Sequence, residues 1–216
     1  MTPYSTTIAV LTGDLVKSRQ AKPDATDRAM RIIDQTASDL ADICGADTRF
    51  TRFRGDGWQL VAGRAGWALR ACLLVIADLR ASGVGIETRI SAGLGRYESL
   101  GTTNLSDATG HAFFASGNHL DLAPKRRRLL VAGGRLRDQT WQAAIFDLVE
   151  HQVSGWTQPQ TEAVAMALRH GQMTQQDIAE RLGITRQAVQ LRLASAGYAA
   201  LENALIAFEQ LDWEIP

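Results

Sequence analysis

The chain has 216 residues, 45% hydrophobic and 21% charged, an ordinary globular composition for one large domain or one domain with a small appendage. Twenty-three basic residues balance 23 acidic ones, so no global polycation argues for nucleic acid and no polyanion for cation storage. The longest apolar run, residues 71–77, is too short to span a bilayer, and the N-terminus lacks a basic leader region; a cytoplasmic protein with no membrane partner is expected.

Taken in chain order, residues 7–12 (TIAVLT) are an apolar run ending at Gly13-Asp14 and read as a buried strand. Met30, Ile33, Ala37, Leu40 and Ile43 then recur at helical spacing, with start signals at Pro23-Asp24 and Thr26 and a stop at Gly45. Residues 48–63 are two short strand patterns about Gly55-Asp56-Gly57, a hairpin. Leu69, Cys72, Val75, Ile76 and Leu79 share a helical face that ends at Gly83. Ile86, Thr88, Ile90 and Ala92 alternate as a strand, residues 107–122 follow as a helix anchored by Ala112, Phe113 and Leu120, and RRLLVAGG is a last strand. Cys44 and Cys72 each fall inside a helical pattern and read as small buried thiols rather than a disulfide.

The order β-α-β-β-α-β-α-β contains a split βαβ, which predicts a ferredoxin-like or palm βαββαβ domain of the α+β class, an antiparallel sheet with helices on one face. From Asp138 onward every pattern is helical, five helices in all, so the boundary is placed near residue 135: residues 1–135 mixed, 136–216 all-α.

Within that tail, TQQDIAERLGITRQAVQLRLASAG has the spacing of a helix-turn-helix. Thr174 and Thr185 stand at the two cap positions, Gly183 at the turn, and Ile178, Ala179, Leu182, Val189 and Leu193 on the inner faces. Thr185, Arg186, Gln187 and Gln190 are left outward on the first half of the second helix, the half that meets base edges in the major groove. The stretch resembles the helix-turn-helix of bacterial regulators and of sigma-factor promoter-recognition domains, and DNA is the expected partner. A helical subdomain used for packing or dimerisation stays open, because residues 156–216 carry four arginines against seven carboxylates. The run Lys125-Arg126-Arg127-Arg128 is a second source of positive charge, or a solvated basic turn.

Three patches of the first domain fit together: Asp14 at the end of the first strand, Asp56 in the hairpin turn, and Asp107 ahead of Gly110. Asp14 and Asp56 each also suit a plain turn role. Together the patches resemble the class III nucleotidyl cyclases and their polymerase-palm relatives over residues 6–130, with TGDLVKS standing where that family has its first metal aspartate and Gly55-Asp56-Gly57 where it has its second. The resemblance implies Mg²⁺ held with a nucleotide at Asp14, Asp56 and Leu15, and nucleotide contacts from Lys17, Ser18, Arg52 and Asp107, with Arg52 and Asp107 facing a purine edge. Where the family has a transition-state asparagine and arginine, this chain has Phe114 and Asn118, so the metal and base positions are kept and the catalytic pair is not.

The layout also resembles the SatD-like bacterial proteins along nearly the whole chain, through Gly13-Asp14-Leu15-Val16-Lys17-Ser18-Arg19, Gly55-Asp56-Gly57-Trp58-Gln59 and Trp156-Thr157-Gln158-Pro159-Gln160. The combined expectation is a homodimeric, nucleotide-responsive DNA-binding transcriptional regulator with a degenerate cyclase-like sensor. The alternatives are an active Mg²⁺-dependent nucleotidyl cyclase or nucleotidyltransferase, and an oligomerising interaction protein. GLGRYES lacks the third glycine and the Lys-Ser/Thr end of a phosphate loop, and the four histidines have no zinc spacing.

Overall fold

The first five residues of strand β1 (Thr7–Val16) are buried at every position, so both of its faces are covered there. It is the middle strand of a sheet completed by β2 (Thr48–Arg52), β3 (Gly57–Ala62), β4 (Glu87–Arg96) and β5 (Leu129–Gly133), in the order β2-β3-β1-β4-β5. The structure is a computed structural model and describes residues 7–16, 24–53, 55–102, 104–135, 138–169 and 173–213. The first four strands pair with one another antiparallel, as the βαββαβ order predicts, whereas β5 runs parallel to β4.

The helices do not all lie on one face, contrary to the sequence expectation. Helices α1 (Ala25–Cys44) and α2 (Ala68–Ala81) cover the face presenting Ala9, Leu11, Leu60, Ala62, Ile90 and Ala92. Helix α3 (His111–Leu122) covers the other, where Ile8, Val10 and Val61 meet Ala112 and Phe113. The cause lies in β4: a Cβ on Gly93 would stand 2.1 Å from the carbonyl oxygen of Ala112, so only glycine lets the helix come this close.

Helix α3 also begins at His111 rather than Asp107. Residues Leu105–Asp107 form a 3₁₀ turn, capped by the Asn104 side chain accepting from the Ser106 N–H. Thr109 then bridges to Ser99 in extended conformation before the helix starts.

After β5 the chain is helical: α4 (Gln139–Ser154), α5 (Gln158–Ala167), α6 (Gln175–Leu182), α7 (Arg186–Ser195) and α8 (Tyr198–Gln210). These helices share one hydrophobic core with the α1 and α2 side of the sheet. Helix α2 is therefore an inner layer, with 11 of its 14 residues buried, which explains a sequence that is apolar nearly all round. Its Arg70, fully buried, donates to the Leu168 carbonyl at 2.7 Å and pairs with Glu209 of α8. Arg169, just past α5, reaches back to Asp39 of α1 and Asp78 of α2.

Cys44 and Cys72 are buried free thiols, as their helical settings suggest, and burial pushes both upward in pKa. Among the described residues no helix is long and apolar enough to cross a membrane.

Candidate functional site

Asp14 sits near the end of β1, level with Gly57 of β3 on one side and Arg89 of β4 on the other. Gly13 beside it is glycine for a packing reason: a Cβ there would stand 2.3 Å from the Trp58 indole, which lies buried under α1 and α2. Trp58 Nε1 donates to Thr88 Oγ1, and that hydroxyl donates to the Asp14 carbonyl. The main chain of Asp14 is thus fixed from the α1/α2 face while its carboxylate points to the α3 face.

On that face Asp14 Oδ2 accepts from Arg89 at 3.1 Å. Arg89 is almost wholly buried and also donates to the carbonyls of Leu120, Ala123 and Arg127. The other carboxylate oxygen, Oδ1, is buried with no hydrogen-bond partner, although the Asp14 side chain as a whole is 32% exposed. A buried carboxylate oxygen without a donor suits a cation or an N–H or O–H group brought by a ligand.

Asp56 lies in the adjoining β2–β3 turn, which needs Gly55 in the left-handed region at φ 79°. Its carbonyl accepts from the Leu15 N–H at 3.0 Å, pinning the turn to the end of β1. Asp14 and Asp56 are therefore neighbours at one end of the sheet, along the edge that the strand ends form. Leu15 itself is buried in the core, so any part it plays there is through its backbone. Among the described residues no group of three or more His, Cys, Asp or Glu could hold a metal. A metal at this edge would draw on two carboxylates and on oxygens of its ligand, which is the habit of Mg²⁺.

Two positions farther in, a polar row crosses the same face: Thr51 opposite Gln59, Gln59 opposite Thr12, Thr12 opposite Ser91. Gln59 Nε2 donates to Thr12 Oγ1 at 3.0 Å, and Thr12 shares a 2.7 Å hydrogen bond with Ser116 of α3. Thr51, Gln59, Thr12 and Asp14 are half-buried, a polar shelf beside α3.

Arg52 and Asp107 do not face each other. Arg52 pairs with Asp27 of α1 at 2.7 Å, on the α1/α2 side of β2. Asp107 accepts from Thr102, whose hydroxyl and N–H lower its pKa, and its turn is tied to the opposite face by Leu105 N–H donating to Thr51 Oγ1. Adjacent residues of a strand point to opposite faces, and Thr51 and Arg52 obey that rule. Lys17 and Ser18 lie outside the described residues. Phe114, 70% exposed, and Asn118 lie on the outward surface of α3.

The helix pair is built as its spacing predicts. Thr174 and Asp177 form a reciprocal capping box, and Gly183 ends α6 in the left-handed region. Thr185 Oγ1 accepts from the Ala188 N–H to start α7 after a three-residue turn. Ile178, Ala179, Val189 and Leu193 are buried, while Thr185, Arg186, Gln187 and Gln190 are all exposed. Of the four arginines in this tail, Arg169 is bound to α1 and α2, and Arg192 pairs with Glu162. Arg181 and Arg186 remain on the surface.

The Lys125–Arg128 run is not one basic patch. Arg127 pairs with Asp147 and Glu150 of α4, and Arg128 gives its N–H to Glu150. Two residues past Glu150 on α4, Gln152 Nε2 donates to the carbonyls of Ala196 and Gly197, where α7 gives way to α8. A continuous series of polar contacts thus runs from Asp14 through Arg89 and Arg127 to α4, and from α4 to the end of α7.

Arg89, Thr12 and Ser116 are not among the residues that the sequence motifs single out, and Gln59 stands out only as part of one. The available signal was the alternate set on β4, Arg89, Ser91, Gly93 and Gly95, polar or small at every position and therefore suited to a covered face.

No protein-family model matches the chain, and no curated protein matches it. Among solved structures it is similar to the guanylyl cyclase Cya2 over 52% of this chain and 68% of that one, with 14% identity and a TM-score of 0.32. At that score the likeness carries no argument about activity; the chain stands as a mixed α+β fold with a five-stranded sheet and a capped helix pair in its helical tail.

Proposed function

We propose that the protein is a DNA-binding regulator whose sheet edge at Asp14 and Asp56 takes a nucleotide together with Mg²⁺. The observation that carries this reading is the α6–α7 pair. Its caps and turn are in place, its inner faces are buried, and the four residues suited to base edges are exposed together on the first half of α7. Arg186 offers two parallel donors for guanine, and the amides of Gln187 and Gln190 match adenine. With only Arg181 and Arg186 on this surface for phosphate contact, binding is weak per copy. A homodimer on two half-sites one helical turn apart supplies the rest.

At the sheet edge, Asp14 Oδ1 and the Asp56 carboxylate would hold Mg²⁺, which when bound neutralises the phosphates of the nucleotide. Arg89 keeps the Asp14 carboxylate in one orientation, and the polar shelf of Thr12, Thr51 and Gln59 offers hydroxyls and an amide to the rest of the ligand. The contacts through Arg127 and α4 are the route by which occupancy would bias α7. The test is gel-shift titration against a genomic fragment library, with and without a nucleoside triphosphate and Mg²⁺, at two salt concentrations. Salt-sensitive binding lost in Arg186→Ala supports the reading; no binding in either condition refutes it.

The second reading, an active nucleotidyl cyclase or nucleotidyltransferase, is favoured by the unpartnered Asp14 Oδ1 beside the hairpin. Against it stand Phe114 and Asn118, which offer no cation for developing phosphate charge. Turnover of a labelled nucleoside triphosphate that disappears in Asp56→Ala would establish it.

A further inference from the structure

A cavity of about 270 Å³ lies where α2, the starts of β4 and β5, and α4 meet. It belongs neither to the Asp14 edge nor to the helix pair. Its inner wall is apolar: Ile76, Leu79, Leu129 and Val153, each buried. Its polar side carries three guanidiniums, Arg80, Arg126 and Arg128.

The carboxylates that face these arginines do not balance them. Glu150 is fully engaged, its two oxygens accepting from Arg127 Nε and from the N–H groups of Arg128 and Leu129. That leaves Glu87, which accepts from Arg80 Nη2 at 3.0 Å and lies 4.0 Å from Arg128 Nε, one half-exposed carboxylate between two guanidiniums. Arg126 makes no ion pair among the described residues. Three cations against one disposable carboxylate, beside an apolar wall, define a site for an anion carried on an apolar body.

We propose that this cavity binds a small organic anion, a single phosphate or carboxylate group on an apolar ring, with the ring against Leu129 and Val153 and the anion held by Arg126 and Arg128. The site is well placed for an effector. Thr88 lines it and bonds the Asp14 carbonyl, while Glu150 and Val153 line it from α4, the helix that Gln152 ties to the end of α7. The assignment does not depend on nucleotide at the Asp14 edge.

The experiment is a methyl-detected NMR titration of the full chain with phenyl phosphate and with benzoate, with phenol as the uncharged control. Saturable shifts at the Ile76, Leu129 and Val153 methyls are expected with either anion and not with phenol. Arg126→Gln, at an exposed position without a folding role, should weaken binding about tenfold, the loss of one charge-assisted hydrogen bond. Glu87→Gln, which removes the competing carboxylate, should tighten it several-fold. Three results would overturn the proposal: no shift with either anion, binding unmoved in Arg126→Gln, or binding weakened in Glu87→Gln. The better of the two anions identifies the head group.

Discussion

The two faces of the sheet are built on different rules. The face under α1 and α2 is mainly apolar from strand to strand; Thr7 is buried on it, Thr48 donates to the Ala37 carbonyl, Arg52 pairs with Asp27, and Thr88 accepts from Trp58 and bonds the Asp14 carbonyl. The face under α3 is apolar at its far end, at Ile8, Val10 and Val61, and at Leu130 of β5; toward Asp14 it turns to Thr12, Gln59, Thr51, Ser91 and the Asp14–Arg89 pair. One face supplies stability and the other is given over to polar chemistry. Proteins depart from apolar packing mainly where function requires it, and here the departure is concentrated on one side of one end.

That division can be broken one face at a time. The largest loss is expected from Trp58→Ala on the apolar face, about 4 kcal/mol for emptying a buried indole site, read as a shift in urea midpoint. Gly93→Ala on the polar face should come next, at about 3 kcal/mol, because α3 must lift to clear the new methyl. Its distinguishing readout is increased hydrogen exchange in α3 while α1 stays protected. Asp14→Asn should cost less, about 1–2 kcal/mol. It leaves Arg89 without its carboxylate, but the site is partly open to water, which softens the penalty of an unpaired buried charge. The same variant should abolish any Mg²⁺-dependent nucleotide binding; unchanged binding would remove Asp14 from the site.

The smallest effect is one of pH. Burial of His119 on α3, helped by the nearby Arg127 charge, lowers its pKa below the ordinary 6.5. A base whose folded pKa is lowered stabilises the fold above its unfolded value and loses that contribution as pH falls through the folded value. Stability should therefore decline as pH drops below about 6.5, and His119→Gln should flatten that decline. The Cys72 thiol on the other face, pushed far upward by burial, adds nothing in this range.

What could be read from the sequence was local. The helix pair was legible because caps, turn glycine and inner-face spacing all fall within one stretch, and each stands where its residue type predicts. The hairpin and the placement of Asp56 near Asp14 followed from strand order and a glycine turn. What could not be read depends on which residues share a face across strands. Arg89 in a strand pattern reads as solvent-facing until a helix is known to cover it. Arg52 and Asp107 are brought near each other by the chain but parted by the alternation of β2. The inner position of α2 is written in its all-round apolarity, which the spacing of one helical face does not reveal.

That inner position has a consequence for dissecting the chain. Cut after β5, the first 135 residues would leave Arg70 without Glu209 and the Leu168 carbonyl, and would bare the side of α2 that the later helices cover. Such a fragment would expose a continuous apolar surface with a desolvated guanidinium at its centre, a recipe for self-association rather than for an isolated sensor. The change from mixed to helical structure near residue 135 marks where the composition shifts, while the hydrophobic interior runs on across it. Ligand and DNA measurements on this protein therefore belong on the intact chain.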